Sequence, residues 1–127
     1  MGNEEKTKTK MILSRETLAE IESLQMPGEP DIVTEIFATF LQSTPARIEK
    51  LSLHLQKGDI KALSKEAHAL KSSARTIGAI RLGDACHELE HIEDLGLLDR
   101  KEELFFQVKD QLGEVFEEIK KIRPELK

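Results

Sequence analysis

The strongest chemical signal in the chain is a histidine with two cations following it at helical spacing. His68, Lys71 and Arg75 stand at i, i+3 and i+7 in the run EAHALKSSARTIGA. If Leu70 centres a buried stripe, then at about 100° per residue Leu63, Ala67, Ala74 and Ile77 fall within about 60° of it. On the same wheel His68 falls at about 160°, Arg75 at about 140°, Ser64 at about 120° and Lys71 at about 100°. His68 is therefore expected to point outward, with the two cations on its side. A histidine between cations is disfavoured in its protonated form, which leaves a ring lone pair available as a nucleophile. The same cations suit a dianionic phosphoryl group carried on that ring. Ser64 and Gly78 lie on this face too and read as partner-docking positions. Gly78, lacking a side chain, would let another protein's backbone approach closely.

A second pattern competes with the first. His87-Glu88-Leu89-Glu90-His91 matches H-E-x-x-H, the zinc-protease motif. That chemistry needs both histidines facing a cleft, a third ligand and an open zinc position. With Leu89 buried, His87 and His91 lie at about 160° from it, in solvent. No H-x-x-G-x-x-H extension follows. The expectation is two surface histidines that hold stray zinc or nickel weakly, with no metal site and no chelator-sensitive peptidase activity. His54, beside Leu51 and Leu55, reads as structural. Cys86 lies on an apolar face and reads as a small buried hydrophobe.

The elements that position these residues all read as helices. Ser14 caps a first short helix carrying Leu18, Ile21 and Leu24, which Met26 to Pro30 (MPGEP) ends. A second helix starts at Pro30 or Asp31 with the stripe Val33, Phe37, Phe40, Thr44, Ile48, Leu51 and Leu55. Pro45 either kinks this helix or starts a new one capped by Thr44; the stripe keeps its phase, which favours one kinked helix. Gly58-Asp59 ends it and caps the third helix, whose stripe is Ile60, Leu63, Ala67, Leu70, Ala74 and Ile77. The fourth carries Leu82, Ala85, Cys86, Leu89 and Ile92 and ends near Gly96. Asp99 with Glu102 forms an Asp variant of the capping box for the fifth. That helix carries Leu104, Phe105, Val108, Leu112, Val115, Ile119 and Ile122. Short loops make neighbours antiparallel. The fold class is all-α: an up-down-up-down antiparallel four-helix bundle with a short additional N-terminal helix. It occupies residues 12–127, behind a disordered tail at 1–11.

Composition sets the outer bounds. The 127 residues are one domain's worth, long enough for a core without staples. Lys and Arg number 19 against 24 Asp and Glu, a net charge of −5, which argues against nucleic acid. No Trp or Tyr is present, so a base-stacking platform is not expected. A single cysteine fits a reducing compartment. No apolar run is long enough to span a bilayer and no secretory signal is visible. These features describe a soluble, cytoplasmic monomer with no membrane partner.

The run from Ala67 to Glu90 resembles the signature of histidine-containing phosphotransfer (HPt) domains, roughly H-x-L-K-G-[SA]-[SA]-x-x-x-G-A-x-x-L-x-x-x-C-x-x-L-E. It is met by His68, Leu70, Lys71, Ser73, Gly78, Ala79, Leu82, Cys86, Leu89 and Glu90. The likeness extends over about residues 14–120, including the Pro-containing long helix. The resemblance implies a phosphorelay carrier without autonomous kinase activity. His68 would take a phosphoryl group from a receiver-domain aspartate and pass it to another. Lys71 and Arg75 would support the phosphate, and Glu90 would hold the histidine ring from the next helix. Ser72 replaces the usual glycine, and its hydroxyl would donate to the phosphate or crowd the receiver. The implied partners are response-regulator receiver domains, a hybrid sensor histidine kinase, or both. They would dock over His68 and Gly78 through the ends of the second and third helices. No cofactor is expected on this chain; Mg²⁺ would belong to the receiver. The alternative is a non-catalytic helical adaptor that binds receiver-like partners without carrying phosphate.

Overall fold

The computed structural model describes residues 11–126. The tail expected at 1–11 falls, except for Met11, outside them, as does Lys127. Among the described residues there are five α-helices, one 3-10 turn and no strand: α1 (Arg15–Glu22), α2 (Ile32–Lys57), α3 (Ile60–Thr76), α4 (Ile80–Glu90), the turn Leu98–Arg100 and α5 (Lys101–Ile122). Successive helices α2 to α5 pack on one another, and α5 closes back on α2. The predicted four-helix bundle is thus present, with α1 as the added helix.

In α2 to α5 the buried face follows the stripe the periodicity marks out, whereas α1 buries only Ile21 of its stripe. Phe37, Leu51, Leu63, Leu70, Leu82, Leu89, Val108 and Ile119 are fully buried in one continuous core. Burying a side chain of this size stabilises the fold by roughly 1.5–3 kcal/mol. Phe40 of α2 meets Phe116 of α5 edge-on, with ring centres 6.3 Å apart. Ion pairs Arg47–Glu66 and Arg81–Glu114 tie α2 to α3 and α4 to α5.

One helix runs through Pro45. Proline removes an N–H and crowds the turn before it. Directly preceding it, buried Thr44 donates its hydroxyl to the Phe40 carbonyl at 2.8 Å, satisfying its only polar side-chain atom in the core. Three helix ends differ from expectation. α4 stops at Glu90, and the following turns carry the chain to Gly96. Asp99 makes no capping bond; α5 starts at Lys101, and Arg100 bridges Glu103 at 2.9 Å. Leu24, assigned to the first helix, lies beyond its end and is exposed.

Cys86 is fully buried, and desolvation pushes its thiol up to about 12. Only the thiolate is nucleophilic. The folded protein should therefore leave Ellman's reagent unreacted and titrate one thiol in denaturant. Rapid stoichiometric reaction in native buffer would contradict this packing.

Candidate functional site

α3 and α4 form the most extensive helix pair, and the site lies where His68 of α3 meets the end of α4. Leu63, Ala67, Leu70 and Ala74 turn one face of α3 into the core. His68 is left on the other side with its side chain 60% exposed. The wheel prediction for this residue holds.

Its immediate surroundings differ from a ring among cations. Glu90, the last residue of α4, places Oε2 2.8 Å from His68 Nδ1 and Oε1 2.6 Å from Lys71 Nζ. Burial raises the Glu90 pKa, but its contacts with Lys71 and His68 outweigh that and hold it below the usual carboxylate value. An ionised carboxylate accepts only. His68 Nδ1–H must therefore donate, which fixes the tautomer and leaves the Nε2 lone pair uncommitted by this contact. Ser64 holds Glu90 in place: its hydroxyl donates to the Glu90 carbonyl at 2.6 Å, satisfying a terminal acceptor of α4.

Several expected roles change in this light. Lys71 is only 12% exposed and paired with Glu90, so it is not a free surface cation. Arg75 is exposed two turns beyond His68, and its stem crosses Gly83 of α4. Seven residues of helix rise about 10 Å, so Arg75 does not share the contact cluster of His68, Glu90 and Lys71. Ser72 is exposed one turn after His68, as the wheel requires. Ser64, read as a docking residue, spends its hydroxyl within the chain.

Gly78 departs furthest from expectation. It is buried, with φ +83°, and ends α3 by the bonds Gly78 N–H to Arg75 carbonyl and Ala79 N–H to Ala74 carbonyl. Its own carbonyl accepts from Ser14 N–H at 2.8 Å. A Cβ here would lie 2.9 Å from Thr17 Cβ and 3.2 Å from Ser14 Cβ. The clearance this glycine creates is filled by the start of α1, not left for a partner. The sequence pattern showed a glycine at the helix end; it carried no sign that α1 folds back onto it.

His87 is exposed and His91 is 37% exposed, and both flank Glu90. Lys71 Nζ reaches His87 Nδ1 at 3.5 Å. Helix periodicity placed the two histidines outward correctly. It did not show that the carboxylate between them is the one that holds His68, because one helix's wheel does not fix the register of its neighbour.

Comparisons with known proteins bear on the family and the fold. The Hpt domain model matches residues 35–118. Histidine-containing phosphotransfer protein 1 of Arabidopsis thaliana is 35% identical over 69 residues, covering 53% of this chain and 45% of that protein. Histidine-containing phosphotransfer protein 5 of the same plant is 31% identical over 71 residues, covering 54% and 45%. The chain thus spans about half the length of the curated relatives it matches. The crystal structure of histidine-containing phosphotransfer protein B from Pseudomonas aeruginosa superposes with a TM-score of 0.79 at 28% identity, covering 91% of this chain and 97% of that one. With the family model matching 84 of 127 positions, counted from 35 to 118, and the same helical bundle in a solved relative, this chain belongs to the Hpt domain family.

Proposed function

We propose that this chain is a phosphocarrier of a two-component phosphorelay, with His68 Nε2 as the acceptor atom. The observation that carries the reading is the bond from His68 Nδ1–H to Glu90, on an exposed ring held by a rigid helix. In the proposed step, the Nε2 lone pair attacks phosphorus of a receiver aspartyl phosphate. The P–O bond to the aspartate breaks, and the electron pair leaves with the carboxylate. The ring becomes a cation that keeps its Nδ1 proton, and Glu90 stabilises it through that proton. The reverse step passes the group onward. Mg²⁺ for this chemistry belongs to the receiver, and the carrier supplies no kinase activity of its own.

The partners in this reading are receiver domains and a hybrid sensor kinase. The test is incubation with a phosphorylated receiver, followed by separation of the two proteins. The carrier should gain acid-labile, alkali-stable phosphate. A chain that binds the receiver and gains none would be an adaptor.

Glu90 is a positioning residue in this scheme. A charge-assisted hydrogen bond is worth about 1.5–3 kcal/mol, so Glu90→Ala should slow transfer by roughly ten- to a hundredfold. The same variant should lose the Nδ1–H tautomer of His68 in ¹⁵N NMR spectra, and Glu90→Gln should partly restore it. A slowed variant with an unchanged tautomer would show that Glu90 acts otherwise.

A further inference from the structure

The end of α4 holds a second cluster around the same carboxylate. His87, Glu90 and His91 each offer one ligand atom, and these atoms lie within 4.8 Å of one another. Spacing of i, i+3 and i+4 puts all three on one side of a single turn. The two imidazole rings have centres 4.5 Å apart, and His91 Nε2 is 3.6 Å from Glu90 Oε2. The other ring nitrogen of His91, Nδ1, faces Asp94 at 3.5 Å. A carboxylate behind the second nitrogen is the arrangement that orients metal-binding histidines. A tetrahedral ion with bonds of about 2.0–2.1 Å holds its ligands about 3.3 Å apart. The cluster therefore needs only small side-chain rotations to close on one ion.

We propose that His87, Glu90 and His91 bind one divalent ion of the zinc, nickel or copper class, and that the bound ion draws the Glu90 carboxylate away from His68. Two imidazoles with one carboxylate select these metals over magnesium and calcium, which take oxygen ligands. Glu88, the residue the protease motif would use as base, is not among the three ligands. The third ligand that this motif lacked in the sequence is Glu90. The Lys71 ammonium beside His87 and Glu90 opposes a second cation, so affinity falls below that of structural zinc sites. Glu90 Oε2 faces both His68 and His91. An ion held by that carboxylate competes with the Nδ1–H of His68 for it. Metal would then inhibit phosphate transfer; this second half rests on the phosphocarrier reading, whereas the site itself does not.

The test has two arms. In calorimetry, metal-free wild type should take one Zn²⁺ or Ni²⁺ per chain and no Mg²⁺. His87→Ala and His91→Ala should each weaken binding by at least about tenfold, the lower end of what even an outer partner is worth. In the second arm, transfer from a phosphorylated receiver is timed with and without saturating Ni²⁺, each protein against its own metal-free rate. Wild type should slow at least tenfold, and the ratio for His91→Ala should stay near one. Equal binding by wild type and both variants would overturn the site. Binding to wild type with an unchanged transfer ratio would overturn the inhibition. Wild type that takes no phosphate even without metal would refute the phosphocarrier reading, while the calorimetry would still decide the site.

Discussion

His68→Gln should abolish phosphate uptake from a phosphorylated receiver while leaving the fold intact. Glutamine offers no ring nitrogen lone pair, so no phosphoramidate forms. The side chain is 60% exposed and outside the core, so its replacement should cost at most its bond to Glu90, about 1.5–3 kcal/mol, and leave a cooperatively folded protein. The chain's other histidines set the control. His54, His87 and His91 lack the bond that commits Nδ1 of His68 to a proton facing Glu90. Alanine at each in turn should leave labelling in place. Labelling of His68→Gln at the wild-type level would move the acceptor elsewhere and dismantle the mechanism.

Gly78→Ala should destabilise the protein by about 2–5 kcal/mol. The left-handed backbone costs a non-glycine residue about 1–2 kcal/mol, and forcing a methyl against packed atoms costs about 1–3 kcal/mol more. The atoms in question are Thr17 Cβ and Ser14, which belong to the start of α1. A drop in Tm on the order of 10 °C is expected. Gly113→Ala supplies the opposite sign. It is exposed within α5, and nothing lies within 4 Å of an added Cβ, so the same change should stabilise by about 0.5–1 kcal/mol. Thermal melts of the two variants check both numbers. Equal small shifts would mean that α1 does not pack on Gly78 as described.

The contrast between these positions shows where sequence reasoning reaches its limit. Stripes such as Leu63–Ala67–Leu70–Ala74 are local, repeat at the helical period, and so mark the core face without knowledge of any neighbour. Ser14 and Asp59 were legible as N-caps for the same reason; their side chains accept from N–H groups three residues on. What crosses between helices was less legible. The resemblance to the family pattern placed Glu90 at the His68 ring. It did not place Lys71 on the same carboxylate, nor draw His87 and His91 around it. These contacts depend on how far α4 is rotated and shifted against α3. Gly78 misled because a glycine at a helix end is compatible with an open face and with a covered one. The covering residues lie some 60 positions earlier, counted from Thr17 to Gly78.

The central claim is that Glu90 commits Nδ1 of His68 to a proton and so directs phosphate to Nε2. The most direct measurement is ³¹P and ¹⁵N NMR of the protein after transfer from a phosphorylated receiver, with the labelled peptide mapped by mass spectrometry. The account predicts one phosphohistidine, at His68, bonded through Nε2. Phosphate bonded through Nδ1, or carried on any residue other than His68, would contradict it.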